Sequence, residues 1–96
     1  MSRNQIIRTI QEHFPSLKRD FAVRSLGLFG SYARGDAGKR SDVDLLVEFD
    51  EVPGLFEFIE LENRLSKLLG KKVDLVTKDA LKPAIGKIIL AEVLPI

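Results

Sequence analysis

At 96 residues the chain has room for one domain, expected to span residues 1–96, with one site. Fifteen Lys and Arg nearly cancel 14 Asp and Glu, so no large one-signed field points to duplex nucleic acid or to an anionic membrane. The absence of cysteine and the presence of a single histidine exclude a disulfide framework, a thiol nucleophile, a cysteine-held metal centre and a polyhistidine site.

Ser2 followed by Gln5 fits a capping box, and Ile6, Ile7, Ile10 and Phe14 recur at helical spacing up to Pro15, where the first helix is expected to end. A looser stretch from Pro15 to Asp20 leads into a short, mostly apolar run, Val23 to Phe29, read as the first strand. Gly30-Ser31-Tyr32-Ala33-Arg34-Gly35 reads as a sharp turn with one helical turn, and a polar loop runs from Asp36 to Arg40. Val43, Leu45, Val47 and Phe49 alternate with Asp44, Leu46 and Glu48, the period of a second strand. From Leu55 to Leu69 one helical face carries Leu55, Phe58, Ile59, Leu61, Leu65, Leu68 and Leu69, and Gly70 stands where a left-handed residue ends a helix. Lys72 to Thr77 is a third strand, and Asp79 is the expected N-cap of a last helix carrying Ile85, Ile88, Ile89 and Val93. The order is αββαβα, an α/β (α+β) domain with a small mixed sheet packed with helices. No stretch approaches the roughly 20 apolar residues that cross a bilayer and no signal-peptide pattern is visible, so the expected location is cytoplasmic, without a membrane partner.

The chemistry concentrates in three carboxylates and one turn. Asp42 and Asp44 flank Val43, so strand alternation points both from the same face, where two anions less than about 7 Å apart repel each other. A hard divalent cation with oxygen ligands, Mg²⁺ above all, relieves that repulsion and leaves positions for phosphate and water. Asp74 adds a third carboxylate in another short apolar strand, where burial without a partner would be costly. An isolated Asp-x-Asp arises often by chance and Gly-Ser after a strand is usually only a tight turn. Together they gain meaning: Gly30-Ser31 exposes backbone amides and a hydroxyl to an anion, and a phosphate cradle beside a carboxylate site is the equipment of phosphoryl or nucleotidyl transfer.

Gly30-Ser31, ten intervening residues, then Asp42-Val43-Asp44 resembles the signature of the DNA polymerase β-like nucleotidyltransferase superfamily. The wider string Leu28 to Gly35, with Ser41 to Val47 and Lys72 to Thr77, is similar to the minimal nucleotidyltransferases called MNT, over nearly the whole chain. The resemblance implies a polymerase β palm-like fold and attack of an acceptor hydroxyl on the α-phosphate of ATP, releasing pyrophosphate. It implies that Asp42 and Asp44 bind Mg²⁺ and that Asp74 completes the site and helps activate the hydroxyl. Gly30 and Ser31 would hold the triphosphate. It further implies an antitoxin that transfers AMP to a tyrosine of a HEPN-domain toxin, as a homodimer or in a hetero-oligomer with that toxin. Two alternatives stand beside it: an antitoxin that acts by binding alone, and a nucleotidyltransferase whose RNA or small-molecule acceptor is bound by a partner chain.

Among the remaining polar residues, Arg34 is included as a substrate-binding candidate, because it lies near the proposed triphosphate. Lys39 and Arg40 share that neighbourhood, yet loop cations are more often solvated. His13 is placed at the end of the first helix, in a dipole or surface role, and Tyr32 is assigned to packing.

Overall fold

The computed structural model describes residues 1–96. Ser2 caps α1 (Arg3–Phe21) with both arms of a capping box: its hydroxyl accepts the Gln5 N–H at 3.2 Å, and its own N–H donates to the Gln5 side chain at 2.8 Å. The helix does not end at Pro15 but runs through it. Proline removes the bond to the carbonyl four residues earlier, that of Gln11, which is exposed and open to water. Beyond the proline, Leu17 and Phe21 extend the buried stripe begun by Ile6 and Ile10, and that burial outweighs the local break. His13 consequently lies inside the helix, its Nδ1 bonded to the Thr9 carbonyl, rather than at a helix end.

The strands β1 (Val23–Phe29) and β2 (Val43–Phe49), and the helices α2 (Gly30–Arg34) and α3 (Leu55–Leu69), fall where the periodicity placed them. Strand β3 covers Val73–Thr77, one residue shorter at its start than expected. The end of the chain differs more. A 3-10 turn spans Lys78–Ala80, and α4 (Pro83–Glu92) starts four residues after Asp79, so Asp79 is not its N-cap. Pro83 decides this, because proline suits the first helical position and holds the preceding Lys82 in extended backbone. Val93 lies past the helix and leads into a short strand, β4 (Leu94–Pro95), which the sequence does not announce.

The sheet order is β3-β2-β1-β4, with β2 and β3 parallel and the other neighbours antiparallel. One cluster of 17 buried residues joins α1 and α3 to one face of the sheet through Val43, Leu45, Val47, Val73 and Leu75. In α3 the buried positions are Leu61, Leu65 and Leu69, whereas Leu55 and Ile59 are exposed and stand outside the expected core face. Ile85 and Ile88 of α4 are exposed as well. No helix is long and apolar enough to cross a membrane.

The edge strand β3 is finished by side chains of α3. Ser66 accepts the Val73 N–H at 3.1 Å and Glu62 accepts the Leu75 N–H at 3.0 Å. These bonds occupy two outward-facing backbone donors of an otherwise open edge and hold the strand on either side of Asp74.

Candidate active site

The candidate site forms where β1 ends and β2 and β3 begin. Parallel register sets Asp44 directly opposite Asp74, and antiparallel register sets it opposite Phe29 on the other side. Val43 and Leu45 point into the core, so strand alternation sends Asp44 to the opposite face, shared with Asp74 and with Asp42 just ahead of the strand. Asp44 is half-buried, whereas Asp74 is exposed, so the burial cost expected for Asp74 does not arise.

Burial, followed by the charges of Asp74 and Asp42, raises the Asp44 carboxyl above the ordinary carboxylate range. Arg34 opposes the shift and Glu92 adds to it. Lys72 reaches Asp42 only at 3.9 Å and is itself largely exposed, so it offsets little of this repulsion.

Gly30 opens α2 with φ +75°, a left-handed conformation that side chains disfavour. A Cβ there would collide with Oδ2 of Asp44 and stand 3.0 Å from its Cγ. The glycine therefore brings the turn's backbone against the carboxylate. The Gly30 N–H donates to Oε1 of Glu92 at 3.0 Å. Ser31 is half-buried; its carbonyl closes α2 by accepting the Gly35 and Asp36 N–H groups, while its hydroxyl bonds to no other group of the chain.

Arg34 is exposed, with Nε 3.3 Å from Asp36 and Nη1 3.4 Å from both oxygens of Glu92. It therefore joins the Gly30 turn through a shared carboxylate. Lys39 and Arg40 lie exposed in the loop. Tyr32 is buried in the core with the Lys71 ammonium 5.7 Å from its ring centre, in agreement with a packing role. Glu92 was not among the residues expected at the site: it is 62 positions from Gly30, and nothing in the final helix pattern marks it.

The donor set suits a hard divalent cation. It offers carboxylate oxygens on one face, and Asp44 carries a repulsion that a cation would relieve. No three potential ligand side chains are gathered into a closed set, so the convergence expected for Asp42, Asp44 and Asp74 is one of face and register. An open set leaves positions for phosphate and water, the arrangement Mg²⁺ usually takes.

A family model described as "Nucleotidyltransferase domain" matches residues 8–95. The chain belongs to the nucleotidyltransferase family. It is 48% identical over 93 residues to the protein adenylyltransferase MntA of Thermococcus cleftensis, covering 97% of this chain and 94% of that protein. A solved structure described as a minimal nucleotidyltransferase superposes with a TM-score of 0.82 at 35% identity, covering 100% of this chain and 97% of that one. The fold is shared with a chain from the complex of a tri-AMPylated Shewanella oneidensis HEPN toxin with an MNT antitoxin. There the TM-score is 0.61 at 22% identity, over 97% of this chain and 66% of that chain. The nucleotidyltransferase thus has the small mixed sheet and helices of minimal members of its family.

Proposed function

We propose that this nucleotidyltransferase, acting as one domain over residues 1–96, transfers AMP from ATP to a tyrosine hydroxyl of a HEPN-domain toxin and thereby serves as its antitoxin. The observation that carries the reading is the placement of Asp44 beside Asp74 in register and against the glycine turn, which puts paired carboxylates next to the Gly30 amide and the Ser31 hydroxyl. The relation to a protein adenylyltransferase over nearly the full length supports AMP as the group and a protein as the acceptor. ATP as donor places the reaction in the cytoplasm.

Asp42 and Asp44 would hold Mg²⁺, with Asp74 completing the site. The ion, when bound, neutralises phosphate charge as it develops. The Gly30–Ser31 backbone and the Ser31 hydroxyl bind the triphosphate, and Arg34 adds charge beside them. Asp74 takes the proton of the attacking hydroxyl as its oxygen bonds to the α-phosphorus. The bond from that phosphorus to the bridging oxygen breaks, and pyrophosphate leaves with the electron pair. Little covalent chemistry falls to the protein, so positioning and charge dominate. The modified tyrosine gains a charged phosphodiester and a bulky group, which obstruct and repel at a phosphate-binding surface.

The test is co-expression with the toxin followed by intact-mass spectrometry. Wild type should add the mass of AMP to the toxin, and Asp42→Asn should still bind the toxin without adding it. If Asp42→Asn protects cells fully and the toxin's mass is unchanged with either protein, binding alone suffices and the proposal fails.

Ser31→Ala should weaken nucleotide binding modestly. A hydrogen bond to a charged oxygen is worth roughly 1.5 to 3 kcal/mol, an upper range for a half-buried hydroxyl whose neighbouring amides remain. Calorimetric titration with ATP and Mg²⁺ measures the loss, and unchanged affinity would remove Ser31 from the site.

A further inference from the structure

The last helix delivers an acid that the reaction above does not use. Glu92 is the final residue of α4, and 23% of its side chain is exposed. It accepts the Gly30 N–H and lies against the Arg34 guanidinium, the donors assigned above to the triphosphate. The backbone that carries it is pinned to β1. Val93 packs into the space that a Cβ at Gly27 would need, Leu94 and Pro95 pair with Leu28 and Gly27, and the Ile96 N–H donates to the Leu26 carbonyl at 2.9 Å. The movable part is therefore the side chain, a flexible stem ending in a carboxylate.

A carboxylate resting on a backbone amide and a guanidinium offers what a phosphate offers: negative charge and acceptor oxygens. One N–H cannot serve both fully, and the two anions repel. We infer that Glu92 is an internal anion that holds the Gly30 amide and Arg34 in the nucleotide-free protein, and that it swings aside when the triphosphate arrives, so that it sets nucleotide affinity. The inference rests on the reading of Gly30 and Arg34 as phosphate donors. Nucleotide affinity is lowered by whatever free energy holds the side chain in place, because only the fraction of molecules with the donors free is competent to bind. The contact also keeps the glycine turn and the arginine arranged until the nucleotide replaces it.

The experiment compares wild type, Glu92→Gln, Glu92→Asp and Ser31→Ala in calorimetric titrations with AMP-PNP and Mg²⁺, and in steady-state AMP transfer. Glutamine keeps the shape and loses the charge, and aspartate withdraws the charge from Gly30. Glu92→Gln should bind about three- to tenfold more tightly, with KM for ATP lowered alike and kcat unchanged. Glu92→Asp should shift the same way by less. Unchanged or weaker binding in both variants overturns the inference, as does a fall in kcat at constant KM, which would put Glu92 in the transfer step. Should a variant fold poorly, the wild-type protein decides: the Glu92 side-chain carboxyl carbon resonance should move with the Gly30 amide when AMP-PNP and Mg²⁺ are added, and movement of the amide alone overturns the inference. If wild type binds AMP-PNP and Ser31→Ala weakens it while Glu92→Gln changes nothing, only the role of Glu92 falls. If neither wild type nor any variant binds nucleotide, the phosphate site and the role of Glu92 fall together.

Discussion

Asp44→Asn is expected to abolish AMP transfer while leaving the fold intact and, without metal, more stable than wild type. The carboxylate feels the charges of both Asp74, opposite it in register, and Asp42, and on the proposed reading its loss removes a metal ligand from a site with few to spare. Stabilisation of phosphate charge by a metal ion is worth several kcal/mol, so transfer should fall on the order of a thousandfold or more. The stability effect runs the other way. Burial and the neighbouring carboxylates raise Asp44 in the folded protein, so the folded state binds that proton more tightly than the unfolded chain does. Stability on this account falls as pH rises from the ordinary carboxylate value through the raised folded one, and the full penalty is present above the folded value. The Tm of metal-free Asp44→Asn should therefore exceed that of wild type at pH 7. The gap should shrink as pH falls through the folded value and close below the unfolded one. Retained transfer would remove Asp44 from the reaction, and a lower Tm at pH 7 would show that attractive contacts, rather than repulsion, dominate its surroundings.

Gly30→Val should be nearly as severe for activity, for a different reason. The backbone at Gly30 is left-handed, where a branched residue is strained by roughly 1 to 3 kcal/mol, and any Cβ strikes the Asp44 carboxylate. Either the turn withdraws and carries its amide and Ser31 away from the site, or Asp44 is displaced from its place opposite Asp74. Both outcomes should lower transfer at least about a hundredfold, since displacements of about 1 Å cost that much in positioned reactions. Gly30 is buried but is not itself one of the side chains of the core cluster, to which its neighbours Tyr32 and Ala33 belong, so the protein should lose some stability yet still unfold cooperatively. Calorimetry with ATP and Mg²⁺, read beside a thermal melt, checks this. Full nucleotide affinity in a folded Gly30→Val protein would mean that the turn does not cradle phosphate.

The site was legible in parts. Period-two alternation alone places Asp42 and Asp44 on one face, because side chains in a strand have no other option. The glycine that ends β1 announced a turn, and the structure explains the choice: the Asp44 carboxylate leaves no space for a Cβ. Arg34 was singled out for its proximity in sequence, but its link to the turn runs through Glu92, which no local pattern reveals. The first helix shows the opposite failure. Proline at position 15 looked like a boundary, yet Leu17 and Phe21 had enough core to reach that the helix continued past it.

By itself, the sequence determined the helix cap at Ser2, the extents of β1, β2 and α3, and the pairing of Asp42 with Asp44, all of which depend on residues within a few positions of one another. Only the tertiary structure decided that β3 lies parallel to β2, so that Asp74 meets Asp44, and that a short β4 returns along β1 to bring Glu92 onto Gly30. It also decided which apolar positions stay outside the core, among them Leu55, Ile59, Ile85 and Ile88. The physical reason is the same in each case: periodicity specifies the face a side chain takes, whereas its neighbour across the sheet depends on which strand or helix the rest of the chain brings there.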